Sequence, residues 1–182
     1  MLEFFLLNPS KKLRVRQIER ELKIPLHSAI KYKEEFIDEK ILKKIEIEDI
    51  IFFQADTFSK KYILEKRLFN IRMLYDSGLI DYLIEEYGNP VIIVFGPYSR
   101  GEDIENTEIG IYIEGIGNMV KLEKFEKILQ RKIKLYNYNN VQSTKNQELV
   151  NNIVNGIVLN SFIDVYKKGK ESLIQRMNLI PR

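Results

Sequence analysis

Asn89-Pro90-Val91-Ile92-Ile93-Val94-Phe95-Gly96-Pro97-Tyr98-Ser99-Arg100-Gly101-Glu102-Asp103 is the stretch on which the fold of the C-terminal half turns. Five apolar residues, Val91 to Phe95, stand between a Pro and a Gly, and this reads as a strand buried on both faces. Pro97 suits the first turn of a helix, where its missing N–H costs nothing. Downstream, a second strand is expected over Glu108 to Glu114, and an amphipathic helix over Lys121 to Lys132 through Leu122, Phe125, Ile128 and Leu129. A third strand is expected over Ile133 to Val141, then an apolar helix from about Gln147 to Tyr166 and a basic tail, Lys167-Lys168-Gly169-Lys170.

Upstream, Thr57 to about Tyr87 reads as two helices broken at Ser77-Gly78, the first carrying Ile63, Leu64, Leu68, Ile71 and Leu74 on its packed side. The N-terminal third has a different grammar. A short apolar helix, Leu2 to Leu7, stops at Asn8-Pro9-Ser10. A second helix, from about Arg16 to Leu22, buries Ile18 and Leu22 and leaves Arg16 and Arg20 outside; Ile24-Pro25-Leu26 turns the chain into a third helix that runs to about Glu39. On that helix Ala29, Tyr32, Phe36 and Ile37 share the buried side, and His27, Ser28 and Lys31 face out. Ile41, Ile45, Ile47, Ile51 and Phe53 then alternate with polar residues as in half-buried strands, with Glu48-Asp49 as the turn.

Helix, helix, turn, helix, ribbon is the order of a winged helix-turn-helix. Leu13 to Leu42 also resembles archaeal and bacterial winged-helix regulators, in which a Val-Arg-x-Ile start to the second helix, here Val15 to Ile18, precedes a Lys-Tyr-rich recognition helix. The resemblance implies double-stranded DNA as partner. Base and phosphate contacts would come from His27, Ser28 and Lys31, and backbone contacts from Arg14 and Arg16, with Lys11 and Lys12 adding charge and Lys43 and Lys44 acting from the ribbon. Glu34, Glu35 and Asp38 repel phosphates, so only the N-terminal half of the third helix can approach the groove closely. Two-fold DNA readers are commonly dimers, so a homodimer is expected.

The 182 residues hold 45% hydrophobic side chains, enough for a real core. Lys and Arg number 29 against 26 Asp and Glu, so any basic footprint must be local. The absence of Cys excludes disulfides, a thiol nucleophile and Cys-based zinc sites, and a single His removes most imidazole chemistry. No stretch has the make-up of a signal peptide or a membrane span, so no membrane partner is expected and a cytoplasmic protein is the default.

The strand ending at Phe95-Gly96, the loop Tyr98-Ser99-Arg100-Gly101-Glu102-Asp103 and the strand from Thr107-Glu108-Ile109 together resemble the small nucleotidyltransferase family, whose fingerprint is Gly-Ser-x-x-Arg-Gly followed by an Asp-x-Asp strand. Leu149 to Leu159 is similar to the late helix of those domains. In the family the glycine lets backbone approach phosphates, the hydroxyl and helix amides hold them, and the carboxylates chelate magnesium. Here Pro97 stands at the Ser position, Glu108 at the first Asp and Gly110 at the second, and the third acid would fall near Lys134 or Tyr136. One carboxylate of three remains.

The expectation is therefore an α+β chain: a winged helix-turn-helix over residues 1–54, a helical connector over 55–88, and a catalytically inactive nucleotidyltransferase-like α/β domain over 89–182 used for assembly or ligand sensing. No cofactor is expected. Gly96, Ser99, Arg100 and Gly101 stand as a residual nucleotide or phosphate site, with a plain structural loop as the competing reading, and Glu108 as a vestigial metal ligand. Glu102, Asp103, Glu105 and Glu108 read as a solvated acidic loop. The alternative is a magnesium-dependent nucleotidyltransferase acting on protein or RNA, whose metal site a partner or neighbouring acid would have to complete.

Overall fold

A computed structural model describes residues 1–115, 117 and 120–164, and its fold is α+β. Three helices lead: α1 (Leu2–Leu7), α2 (Val15–Leu22) and α3 (Leu26–Asp38). The Arg14 amide donates to the Gln17 side chain (2.8 Å) at the start of α2, and Lys23 ends that helix in the left-handed region. Strands β1 (Leu42–Ile47) and β2 (Ile50–Ala55) form an antiparallel hairpin with Ile47 opposite Ile50. Its two turn residues, Glu48 and Asp49, both have positive φ (50° and 62°), the twist-matched geometry of a two-residue hairpin. Leu13 bridges to Phe53 at the hairpin's outer strand, and Phe5, Leu13, Ile18, Ala29, Leu42 and Phe53 close the N-terminal core.

Two sequence expectations fail in this region. Tyr32 lies on the exposed side of α3, and the inward row is Ala29 and Lys33. The long Lys33 stem covers Phe53 with its ammonium 5.1 Å from the ring centre, and its charge is paired with Glu34. On the ribbon, Ile47 and Ile51 are exposed because the hairpin projects past the core. Only its base, Leu42, Phe53 and Ala55, is buried.

Helix α4 (Lys60–Asp76) is capped by Ser59, and Gly78 with φ 74° turns it into α5 (Leu79–Tyr87). The buried side of α4 carries Tyr62, Lys66, Phe69, Asn70 and Leu74. Leu64 and Leu68, expected on the packed side, are 50% and 58% exposed.

The second half is a four-stranded sheet, ordered β5-β4-β3-β6, of β3 (Val91–Phe95), β4 (Ile109–Glu114), β5 (Ile133–Tyr138) and β6 (Ile157–Asn160). β3 runs antiparallel to β4 and β6, and β4 runs parallel to β5. The one-turn helix α6 (Pro97–Arg100) follows β3, and α7 (Glu123–Leu129) links β4 to β5. One sheet face, through Ile92, Val94, Ile109, Ile111 and Ile113, packs on α5 and α7. The other, through Ile93, Phe95 and Tyr112, packs on Ile153 of α8 (Gln147–Val154).

The expected closing helix to Tyr166 is corrected: α8 stops at Val154, and the chain returns as β6 against β3. Gly156 makes the return possible, since a Cβ there would lie 2.6 Å from both Ile93 Cγ2 and the Val94 carbonyl oxygen. Tyr166 and the basic run at 167–170 lie outside the described residues. No helix among the described residues is long and apolar enough to cross a membrane.

Candidate functional site

Of the residues singled out in the N-terminal third, the structure brings Arg14 and Arg16 to one groove, and His27, Ser28, Lys31, Lys43 and Lys44 are not among the residues that line it. Arg14 and Arg16 are exposed at the start of α2; the Arg14 guanidinium sits 5.7 Å from the centre of the Phe52 ring, and Arg16 lies 3.6 Å from Glu19. His27 and Ser28 open α3 with their side chains 3.3 Å apart, and one turn on Lys31 is exposed, 3.7 Å from Glu35. Lys43 is half-buried at the ribbon's base, between Asp56 (3.9 Å) and the Phe58 ring, whereas Lys44 is exposed.

Arg14, Arg16 and Arg20 line an open groove of about 840 Å³ with Lys33 and Ile30 of α3 and with Asp49, Ile50 and Ile51 at the ribbon's tip. Four cations and one carboxylate line it, with Lys33 paired to Glu34 and Arg16 near Glu19. The contribution of Lys33 is invisible to apolar periodicity, which places that residue outside. The tip itself carries Glu46, Glu48 and Asp49, so the ribbon's positive charge is confined to its base.

The Gly96 turn has a different character. Gly96 has φ 78° and Pro97 begins α6. Ser99 is buried, and its hydroxyl donates to the Gly96 carbonyl (2.8 Å). Arg100 is exposed and its Nε donates to Glu102 (2.7 Å). Gly101 is a point of close approach: φ is 75°, and a Cβ would lie 2.5 Å from the Ile63 carbonyl oxygen and 2.9 Å from the Arg67 nitrogen of α4. Close packing accounts for this glycine without a phosphate.

Asp103 overturns the solvated-loop expectation. It is buried, with Asn70 Nδ2 donating to its Oδ1 (2.6 Å), Lys66 Nζ 2.9 Å from Oδ2 and Arg131 Nη2 3.6 Å from Oδ2. Lys66 also donates to the Leu6 carbonyl (2.7 Å), and Arg131 donates to the Leu7 carbonyl (3.0 Å). One carboxylate therefore ties the last turn of α1 and helix α4 to Arg131, between α7 and β5. Burial pushes the Lys66 ammonium below its ordinary range, and the adjoining Asp103 charge opposes that shift. Glu105 belongs to the same junction. It accepts from the Ser10 amide and hydroxyl, both at 2.9 Å, and is held below the ordinary carboxylate range; burial acts in the other direction and the hydrogen bonds outweigh it. Asp103 and Glu105 pair with residues tens of positions away, so no local spacing marks them.

The β4 face that carries Gly110 and Tyr112 is aromatic. Glu108 is exposed just before β4. At Gly110, two positions on, the Phe95 ring carbons lie 3.3 Å from where a Cβ would be. Phe95 meets Tyr136 edge to face (5.2 Å), and the Lys134 ammonium lies 5.4 Å from the centre of the Tyr136 ring. Tyr112 donates to Glu114 (2.7 Å), and burial first, then that carboxylate, pushes its hydroxyl pKa upward. Among the described residues no three His, Cys, Asp or Glu side chains cluster as metal ligands.

Comparison with protein-family models, curated proteins and solved structures finds no match to this chain. The chemistry of its own residues is what remains to interpret.

Proposed function

We propose that this chain is a DNA-binding, transcription-regulator-like protein. In this reading residues 1–54 form a winged helix-turn-helix, 55–88 a connector, and 89–182 a nucleotidyltransferase-like domain that has lost catalysis and serves assembly or ligand sensing. The observation that carries it is the groove lined by Arg14, Arg16, Arg20 and Lys33, between α2, the middle of α3 and the ribbon's tip. Phosphates neutralised along α2 would fix the register, and His27, Ser28 and Lys31 would reach base edges from the N-terminal half of α3. Glu34, Glu35 and Asp38 keep the rest of that helix away from the duplex.

Loss of catalysis is supported by Gly110, which has no side chain to offer a metal and whose Cβ position lies 3.3 Å from the Phe95 ring. A lone exposed Glu108 is a poor magnesium site. For sensing, the Gly96 turn and Arg100 remain as surface contacts. The competing reading, magnesium-dependent nucleotide transfer to protein or RNA, predicts transfer by the purified chain that disappears on Glu108→Ala.

Electrophoretic mobility shift with random-sequence duplex at a series of salt concentrations tests the DNA reading. Lys31→Glu is expected to weaken binding at least tenfold, and log affinity should fall linearly with log salt, at about −0.9 per phosphate neutralised. Undetectable binding at low salt, or affinity unchanged by Lys31→Glu, would refute it.

A further inference from the structure

The turn between α8 and β6 holds the chain's one Asn-Gly pair, Asn155-Gly156. An asparagine side chain followed by glycine is open to attack by the next backbone nitrogen, because glycine has no Cβ to shield that nitrogen. Asn155 is exposed, so water and hydroxide reach it. In the folded chain both reacting groups are held. Asn155 Nδ2 donates to the Asn151 carbonyl (2.8 Å), and the Gly156 nitrogen donates to the Ile153 carbonyl (2.9 Å). Gly156 is also pressed against β3, where a Cβ would lie 2.6 Å from both Ile93 Cγ2 and the Val94 carbonyl oxygen.

β6 is the element whose opening frees them. It spans 4 residues at the edge of the sheet, pairs with β3 alone, and its register shifts between Ile92 and Ile93. Side chains tie its far end: the Tyr75 hydroxyl of α4 donates to the Leu159 carbonyl (2.8 Å), and Asn160 Nδ2 donates to the Pro90 carbonyl (2.6 Å). A short edge strand opens at a lower free energy than the whole fold.

We propose that Asn155 is a site of spontaneous deamidation gated by β6, and that the reaction releases the strand for good. With β6 open, the Gly156 nitrogen gives its proton to hydroxide and bonds to Asn155 Cγ. The bond from Cγ to Nδ2 breaks, and ammonia leaves after taking a proton from water, which restores the hydroxide. Water then opens the cyclic imide at either carbonyl, leaving aspartate or isoaspartate at position 155. In isoaspartate the backbone runs through Cβ and Cγ and is one atom longer. That atom enters just before Gly156, where Ile93 and Val94 leave no room, so β6 cannot regain its register. Aspartate keeps the backbone but sets a negative charge at the C-terminal end of α8, where the helix dipole opposes it. The inference rests on α8, β6 and β3 and holds whatever the chain binds.

The full chain is aged at mildly alkaline pH and position 155 followed by peptide mapping, in buffer, in urea below the unfolding transition and in urea above it. Modification of Asn155 should be roughly tenfold or more slower in buffer than in the unfolded chain, and should quicken in urea below the transition. Tyr75→Phe removes the hydrogen bond to Leu159 and should quicken it in buffer, with unchanged circular dichroism showing that the variant is folded. In the aged chain the amides of residues 157–160 should exchange rapidly with deuterium. Asn155→Gln, whose longer side chain closes the ring poorly, should keep them protected after the same treatment. An unfolded chain that leaves Asn155 unmodified overturns the site. Equal rates in the folded and unfolded chain, or a rate untouched by Tyr75→Phe, overturn the gating. Chain rich in isoaspartate at position 155 whose 157–160 amides stay protected overturns the release of β6.

Discussion

Replacing Asp103 by Asn keeps the side chain's shape and removes the fully buried negative charge at the junction of α1, α4 and Arg131, leaving only the partly buried Glu105 nearby. The Asp103, Lys66 and Arg131 side chains are 0%, 1% and 4% exposed, so water cannot take over from the lost carboxylate. Deleting one member of so buried a cluster leaves uncompensated cations and costs about 3–5 kcal/mol. In a chain of 182 residues that corresponds to a fall in Tm of about 10 °C. Urea unfolding followed by circular dichroism at several pH values measures both the loss and its electrostatic origin.

The sign of the pH effect follows from Lys66, whose folded pKa lies below the free-chain value of 10.5. Between those two values the unfolded chain holds the extra proton, so this group makes stability rise with pH. Without the Asp103 charge the folded pKa drops further and the window widens downward. The deficit of Asp103→Asn relative to the parent should therefore shrink as pH rises toward the parent's folded Lys66 pKa and level off above it. A loss below about 1 kcal/mol, typical of exposed pairs, or a deficit that grows with pH, would refute the reasoning.

Further outcomes follow from the Gly96 turn. Gly101→Ala should destabilise by about 1–3 kcal/mol in the same unfolding assay, because a Cβ meets α4 backbone at a positive φ; a neutral result would mean that α6 is not pressed against α4. Arg100→Ala, which removes an exposed pair with Glu102, should shift stability by no more than about 0.5 kcal/mol, so any change it makes in phosphate or nucleotide binding by calorimetry reports a direct contact.

Elements defined by local chemistry are legible in the sequence: the Glu48-Asp49 hairpin turn, the Ser77-Gly78 break between α4 and α5, and the apolar Val91–Phe95 strand bounded by Gly96 all stand where residue type alone places them. What escapes is what depends on distant partners. Periodicity counts apolar residues, so it assigned Leu64 and Leu68 to the packed side of α4 and missed Lys66 and Asn70, which are buried because Asp103 and the α1 carbonyls receive them. Lys33 replaced Tyr32 on the inner side of α3 because its alkyl stem covers Phe53. β6 reads as the end of a helix until Gly156 is seen pressed against β3. At the proposed sites, residue type marks Arg14, Arg16 and Lys31, yet the groove that joins Arg14 and Arg16 to Arg20 and Lys33, and leaves Lys31 outside it, exists only once α2, α3 and the ribbon are folded together.

Duplex-DNA affinity of Arg16→Glu combined with Arg20→Glu, set against the unmodified chain over a salt series, bears most directly on the claim that the groove beside α3 grips phosphates. Both side chains are exposed, so the fold should survive the change, and the affinity should drop at least a hundredfold at low salt, with a shallower salt slope. Equal affinities and equal slopes for the two proteins would contradict the account.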